Sequence, residues 1–423
     1  MLGKLIIASL LTGIISGFFI TVYELLIELL THLIFMGDPF KTIPTLPVWY
    51  LYLAPTVAIF IVNYFISKDK YIQEYGVNEI AESISENRMI LTVKTLFLKI
   101  ITSALSISSG FAVGTEGPSA GIGAMVAYQI HKLFKLPTML IKMMISVGAS
   151  SGVAAIFVSP ITGIAFAIEN IAYQFIKQYI GYLILGSVIS FSIAAKFLDS
   201  ISFHSSLGKA IDYHYIVPVL LFIPFITAFV YLYLFMKKRL LHLIDLEIFK
   251  NFHAYRNFIF SLIGGSVIGT ILLIEPHAAF SGKEMVIHLI NNKEHIPLLF
   301  IFMIIMLRII GTTVSIYANA VGGLFLPTMS IGALVGYGYG ELITQIHHLP
   351  LEPFFFAAVG AAVFMGVLMK LPLTAVVLAL ETTFDYNVMV ATGVSVVLVS
   401  YLSNIYFDIR KKYVTKADKI EKC

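Results

Sequence analysis

The sequence has little cysteine and little charge. Its 423 residues include a single cysteine, the terminal Cys423, so the chain has neither a disulfide framework nor a thiolate metal site. Charged residues make up 12% of the chain, whereas a soluble domain carries about 25%. The net charge of +4 is ordinary for cytoplasmic loops and does not indicate nucleic-acid binding. The 11 histidines fall in no H-E-x-x-H or similar spacing, so we predict no metal and no cofactor.

Apolar sequence takes the place of charge. Hydrophobic residues make up 58% of the chain, and the mean hydropathy is +0.91. A membrane-spanning helix needs roughly 20 apolar residues, and many such segments follow one another. The sequence therefore predicts an all-α, polytopic membrane protein. Segments near 160–172 and 371–383 are too short to span alone, and short or broken segments at matching places in two halves are typical of a transporter binding site.

The charges near the chain ends predict an orientation. The first apolar run continues past Phe19 to Glu24 and Glu28 at helical spacing and has no small-residue cleavage site, which indicates a mature span and not a signal peptide. Basic residues lie at Lys4, at 237–239 and throughout the C-terminal tail. The positive-inside rule then places both termini in the cytoplasm.

The stretch 114–124 is the strongest functional candidate. Glu116 stands among glycines between two long apolar segments, and a charged side chain inside a membrane is functional by default. The glycines expose backbone amides, and a helix starting near Pro118 turns its positive end toward the same place. We therefore predict an anion site whose occupant is either Glu116 or a free ion.

The chain contains an internal repeat. The motif from Gly114 to Pro118 is echoed by the motif from Gly323 to Pro327. A second repeated pattern follows, in which Pro160 corresponds to Pro372 and Glu169 corresponds to Glu381. This pattern predicts two related halves, about 1–200 and 210–423, whose loops aim backbone amides at one point. Only the first half supplies a carboxylate there. For Glu169 and its counterpart we predict a structural capping or interface role.

These residues resemble the CLC family of chloride channels and chloride/proton antiporters. The stretch 114–118 (G-T-E-G-P) is similar to the family signature G-[KR]-E-G-P, and 323–327 (G-L-F-L-P) is similar to G-x-F-x-P. The helix from Pro160 to Glu169 also resembles its counterpart in the family. The resemblance covers nearly the whole chain and is to prokaryotic-type members without CBS domains. It implies a single transmembrane domain over 1–423, in the inner (cell) membrane of a bacterium.

The resemblance also implies a mechanism. The family forms homodimers with one pore in each subunit, built from inverted repeats of tilted, broken helices in membrane lipid. By resemblance Glu116 is the gating glutamate, which competes with anions when deprotonated and carries the proton when protonated. Leu324 and Phe325 would donate amides to the central or outer anion, and Gly117 would donate to the outer one. The expected function is exchange of chloride for protons, with no catalytic residue.

Three departures from the family pattern affect this expectation. Tyr75, beside Gly76, stands where the family has a serine that binds the central anion. Two arrangements are open for Tyr75: its side chain lines the pore, or it packs away from the pore. Thr115 replaces a basic residue before the gating glutamate. Asn170 occupies the position of the second proton-handling glutamate, and an amide cannot carry a proton through a titration cycle.

Two tyrosines compete for the inner gate. The resemblance places an anion-binding tyrosine on the last helix, and counting from Pro327 points to Tyr413, with Tyr406 as a rival. Either tyrosine could instead be an anchor at the membrane interface.

Alternative functions remain open at this point. A passive chloride channel is favoured by Asn170, and a fluoride/proton antiporter is favoured by the missing serine and second glutamate, although the intact glycine–proline motifs favour chloride. Nitrate is a further possible substrate. An intramembrane enzyme would need a catalytic dyad or a metal site, and the sequence offers neither.

Overall fold

A computed structural model describes residues 2–73, 77–86, 88–89, 92–172, 176–199, 216–244, 256–291, 296–347 and 353–420. Within these ranges the backbone forms α-helices, short 3₁₀ and π turns, and one isolated β-bridge. The predicted all-α class is therefore confirmed.

Among the described residues, the first half contains eight α-helices of at least eight residues. In chain order, from α1 to α8, they are Leu2–Ile34, Val48–Lys68, Val77–Ser85, Val93–Ser108, Glu116–Leu133, Ile141–Phe157, Pro160–Ala167 and Ile176–Ala194.

The described part of the second half contains another eight. From α9 to α16, they are Ile216–Ile244, Arg256–Ile274, Lys283–Asn291, Leu298–Tyr317, Phe325–His347, Pro353–Met369, Pro372–Thr383 and Tyr386–Ile420.

The helices have the lengths and composition of a membrane protein. Among the described residues, seven helical segments are long and apolar enough to cross a membrane, and three more are apolar but shorter. The predicted short segments are found as α7, which continues into a π turn at Ile168–Ala172, and as α15. The last helix continues from the apolar segment through the basic tail to Ile420. Lysine, common in that tail, is a good helix former.

Glycines allow the same close helix contact in each half. In the first half α5 and α6 meet where Gly123 lies against the backbone of Gly148, and in the second half α13 and α14 meet where Gly332 lies against Gly360. A Cβ atom at any of these positions would collide with a carbonyl oxygen of the facing helix. Small residues let helices approach closely in membranes, where packing is a main source of association. The two pairs follow the repeat seen in the sequence.

We predict that Gly360→Ala destabilises the protein. The methyl group of the new alanine would collide with the carbonyl oxygen of Gly332 and would lie 3.0 Å from the Cα atom of Gly336. Overpacking of this kind costs about 1–3 kcal/mol. The measurement is the thermal unfolding midpoint of purified protein in detergent. Gly181→Ala is the matched control, because a Cβ there meets nothing within 4 Å. Equal midpoints for the two variants would contradict the packing argument.

Candidate anion and proton site

Two buried loops, one from each half of the chain, meet each other. Gly114 and Gly323 exchange a pair of backbone hydrogen bonds, each 2.7 Å long, and form an isolated antiparallel bridge. Each glycine stands just before a helix, α5 after the first and α13 after the second. The bridge therefore brings the N-termini of two helices to one place.

These helix ends supply backbone donors that have no partner within their own helix. The first-turn amides of a helix have no partner within that helix, and the helix dipole makes this end positive. Thr115 precedes α5 and makes no side-chain capping bond to it. The position between α5 and α13 therefore attracts an anion without placing a full positive charge beside it.

Glu116 places its carboxylate at this position. The residue is only 2% exposed, and its Oε1 accepts a hydrogen bond of 3.0 Å from the amide of Leu326, in the first turn of α13. Its Oε2 is buried and has no hydrogen-bond partner in the described part of the chain. The carboxylate of one half thus occupies the donor end of a helix from the other half.

Both bridge glycines are required by the carboxylate. A Cβ atom at Gly114 would collide with the carboxylate of Glu116, and a Cβ at Gly323 would lie 2.8 Å from its Oε2. The carboxylate therefore lies against both glycines, and any side chain at either position would displace it. This close approach explains why both repeats keep glycine here, although only the first supplies an acid.

The other residues of the two motifs surround the carboxylate. Gly117 and Pro118 are buried in the first turn of α5, and Phe325 is buried at the start of α13 with Pro327 two residues further on. Leu324 is half-buried. The ring of Phe325 packs against Phe157, with 4.7 Å between the centroids. The structure thus brings the predicted motif residues of both halves together.

The remaining predicted site residues are only partly described. Tyr75 and Gly76 lie outside the described residues, and so do the side chains of Tyr406 and Tyr413, although α16 runs through both positions. Asn170 lies in the π turn after α7, where its Nδ2 donates to the carbonyl of Phe166 at 3.4 Å.

Glu169 caps a helix of the other half. Its carboxylate accepts from the amide of Leu373 at 2.6 Å, from the amide of Thr374 at 2.8 Å and from the Thr374 hydroxyl at 2.6 Å. These donors belong to the first turn of α15, whose amides have no partner within the helix. The capping role predicted for Glu169 is confirmed.

Glu381 makes the reciprocal cap. It accepts from the amide of Ile161 at 2.9 Å, from the amide of Thr162 at 2.6 Å and from the Thr162 hydroxyl at 2.7 Å. Helices α7 and α15 pack against each other, and the acid near the C-terminal end of each one caps the start of the other. The sequence showed the paired glutamates but not that each one serves the opposite helix.

A buried arginine was missed by the sequence reasoning. Arg308, on α12, is 0% exposed and donates to the carbonyls of His277, Ala279 and Ser281 at 3.1–3.3 Å. It thereby holds the segment between α10 and α11 against the helix bundle. The only signal in the sequence was a single charge within an apolar run.

Comparison with known proteins gives one family. The family model described as voltage gated chloride channel matches residues 54–404. The H(+)/Cl(-) exchange transporter ClcA of Salmonella paratyphi B is 28% identical over 353 residues, which cover 80% of this chain and 72% of ClcA. ClcA of Salmonella newport matches to the same extent. These relatives are named as transporters and not as enzymes.

Solved structures show the same fold. A slow cyanobacterial Cl-/H+ antiporter superposes with a TM-score of 0.83 at 20% identity, covering 98% of this chain and 99% of that one. A CLC-type fluoride/proton antiporter gives 0.74 at 18% identity, covering 96% of each chain. A eukaryotic CLC transporter gives 0.70 at 19% identity, covering 96% of this chain and 72% of that one. With its apolar helices and the match over 54–404, the chain is an integral membrane protein of the voltage gated chloride channel family.

Proposed function

We propose that the protein exchanges chloride for protons and that Glu116 is its gate and its proton carrier. The observation that carries the proposal is the carboxylate of Glu116, which lies against Gly114 and Gly323 and accepts the amide of Leu326. An ionised carboxylate at this position has the same negative charge as a chloride ion. It also occupies the hydrogen-bond donors that a bound chloride ion would need. The names of the exchange transporters similar to this chain support chloride and protons as the pair exchanged.

In the proposed cycle, the Glu116 carboxylate and the transported anion compete for the same binding site. The ionised carboxylate excludes the anion, and protonation removes its charge and its hold on the helix ends. The neutral side chain then swings aside with its proton, and an anion takes the amides of Gly117, Leu324 and Phe325. Dipoles suit this task because a full positive charge would hold the anion too tightly for it to leave. Tyr75, Gly76 and Tyr413 are proposed as further anion contacts by resemblance alone.

A passive chloride channel is the second candidate, and Asn170 favours it. The amide of Asn170 cannot carry a proton, and it donates to the Phe166 carbonyl within its own helix. In the antiporter, protons would have to reach Glu116 from the cytoplasm along a chain of water molecules. Fluoride/proton exchange is the further alternative, tested in the same assay.

The assembly and orientation are part of the proposal. We place the protein in a bacterial cell membrane as a homodimer with both termini in the cytoplasm. Each subunit is a single transmembrane domain made of two repeats, about 1–200 and 210–423. The basic residues at 237–239, which follow the apolar part of α9, support a cytoplasmic position for that end of the helix.

The test is transport in liposomes that contain only the purified protein. A chloride gradient should drive protons uphill, and the internal pH should change without any imposed pH difference. Parallel runs with fluoride and nitrate identify the preferred anion. Chloride efflux with no proton movement would overturn the antiporter and support the channel.

A further inference from the structure

We propose that Glu24 is a second proton-binding site, through which Glu116 exchanges protons with the side of the membrane opposite the N-terminus. This inference rests on the proposed exchange function and adds a residue that neither family motif contains. Glu24 lies in the second half of α1, and α1 packs against α4 and α5, the two helices that flank the Glu116 loop.

Glu24 is held in an unusual environment for a carboxylate. Its Oε1 lies 3.2 Å from the Nζ of Lys283, the first residue of α11, and both side chains are only 20% exposed. Its Oε2 is buried and has no hydrogen-bond partner among the described residues. A buried oxygen of this kind is an open position for a proton or for a water molecule that delivers one.

Glu24 lies close enough to Glu116 for their charges to interact. The neighbouring residue, Tyr23, is fully buried near both carboxylates, and its hydroxyl lies 2.6 Å from the Ser103 Oγ on α4. Other charged groups interact with this pair: Glu284, beside Lys283 on α11, interacts with both Glu24 and Lys283, and Asp199, which follows α8, interacts with Lys283. Glu24 therefore has one cation in contact, with Glu116 and Glu284 as neighbouring carboxylates.

This arrangement suits a proton relay. When Glu24 is ionised, Lys283 balances its charge, and when Glu24 takes a proton it no longer repels an anion or an ionised Glu116. A proton passes from the Glu24 carboxyl group through water to the Glu116 carboxylate, which leaves Glu24 ionised beside Lys283.

The alternative is that Glu24 and Lys283 only clamp α1 to α11. A clamp would affect folding and every kind of transport equally. A relay would affect transport only while Glu116 can still titrate. The two roles are therefore separated by testing Glu24 with and without the Glu116 carboxylate.

The experiment measures chloride and proton flux in liposomes for Glu24→Gln, alone and combined with Glu116→Gln. We expect Glu24→Gln alone to slow coupled exchange about a hundredfold, the lower end of what a positioned proton-transfer group contributes. When it is added to Glu116→Gln, the Glu24→Gln substitution should leave the chloride flux unchanged. Glu24→Asp should restore much of the exchange, and Glu28→Gln, one turn along α1 and exposed, should behave as wild type.

Two results would overturn the proposal: unchanged exchange by Glu24→Gln, or an equal slowing of chloride flux in the Glu116→Gln background. If Glu24→Gln lowers the yield of folded protein, Lys283→Met takes its place. Lys283→Met should slow coupled exchange and leave the uncoupled chloride flux of the Glu116→Gln background unchanged. Equal losses of coupled exchange and of uncoupled chloride flux would identify a clamp. If Glu116→Gln itself still moves protons, the proposed function fails instead, whatever Glu24 does.

Discussion

Glu116→Gln should abolish proton transport and leave chloride transport running. Glutamine has nearly the shape of a protonated glutamate, but it cannot release a proton and carries no charge. The buried place against Gly114 and Gly323 would then have no competing anion, so chloride could enter at any pH. The proton flux driven by a chloride gradient should fall from its wild-type value to the background of empty liposomes.

The measurement records chloride and pH simultaneously in reconstituted liposomes. Glu28→Gln is the matched control, because it makes the same chemical change at an exposed position and should keep wild-type coupling. A Glu116→Gln protein that still drove protons uphill would show that another group carries them. A protein that transported neither ion would show that the carboxylate builds the anion path and does not gate it.

Glu169→Ala should be among the most destabilising of the acid substitutions. Truncation removes the acceptor from two amides and a hydroxyl at the start of α15. The two bonds from Thr374 are part-buried. A donor that loses its partner away from water costs about 1–3 kcal/mol, and lipid offers no replacement acceptor. Glu381→Ala should cost a similar amount, because it uncaps Ile161 and Thr162 in the same way.

Thermal unfolding in detergent measures this effect, with Glu28→Ala as the control. The double variant should lose less than the sum of the single variants, because α7 and α15 contact each other and neighbouring sites are not additive. Wild-type midpoints for both single variants would show that the caps contribute nothing. A loss of coupling at a wild-type midpoint would instead assign Glu169 to proton transfer.

Because the glycine–proline motif occurs in both halves, the sequence predicted that two helix starts aim at one point, and Glu116 lies where these two loops meet. The amide that contacts Glu116 belongs to Leu326, next to Phe325, whereas the resemblance named Leu324 and Phe325 as donors to the anion. The reason is physical: glycine is needed wherever backbone and carboxylate approach closely, and a proline near a helix start marks the end whose amides are free.

The sequence did not reveal contacts that join distant segments through a single residue on each side. Glu24 and Lys283 are far apart in the chain, and neither belongs to a motif. The exchange of caps between Glu169 and Glu381 depends on how the two short helices pack, which spacing does not encode. Arg308 bonds to backbone carbonyls, which any sequence supplies, so its partners leave no trace in the residue pattern.

Chloride binding as a function of pH tests the central claim most directly, namely that Glu116 and an anion compete for one place. Isothermal titration of the wild-type protein should give tighter chloride binding as the pH falls, because protonation removes the competing carboxylate and the linkage is reciprocal. Glu116→Gln should bind chloride tightly at every pH. Wild-type binding that is independent of pH and equal to that of Glu116→Gln would contradict the account.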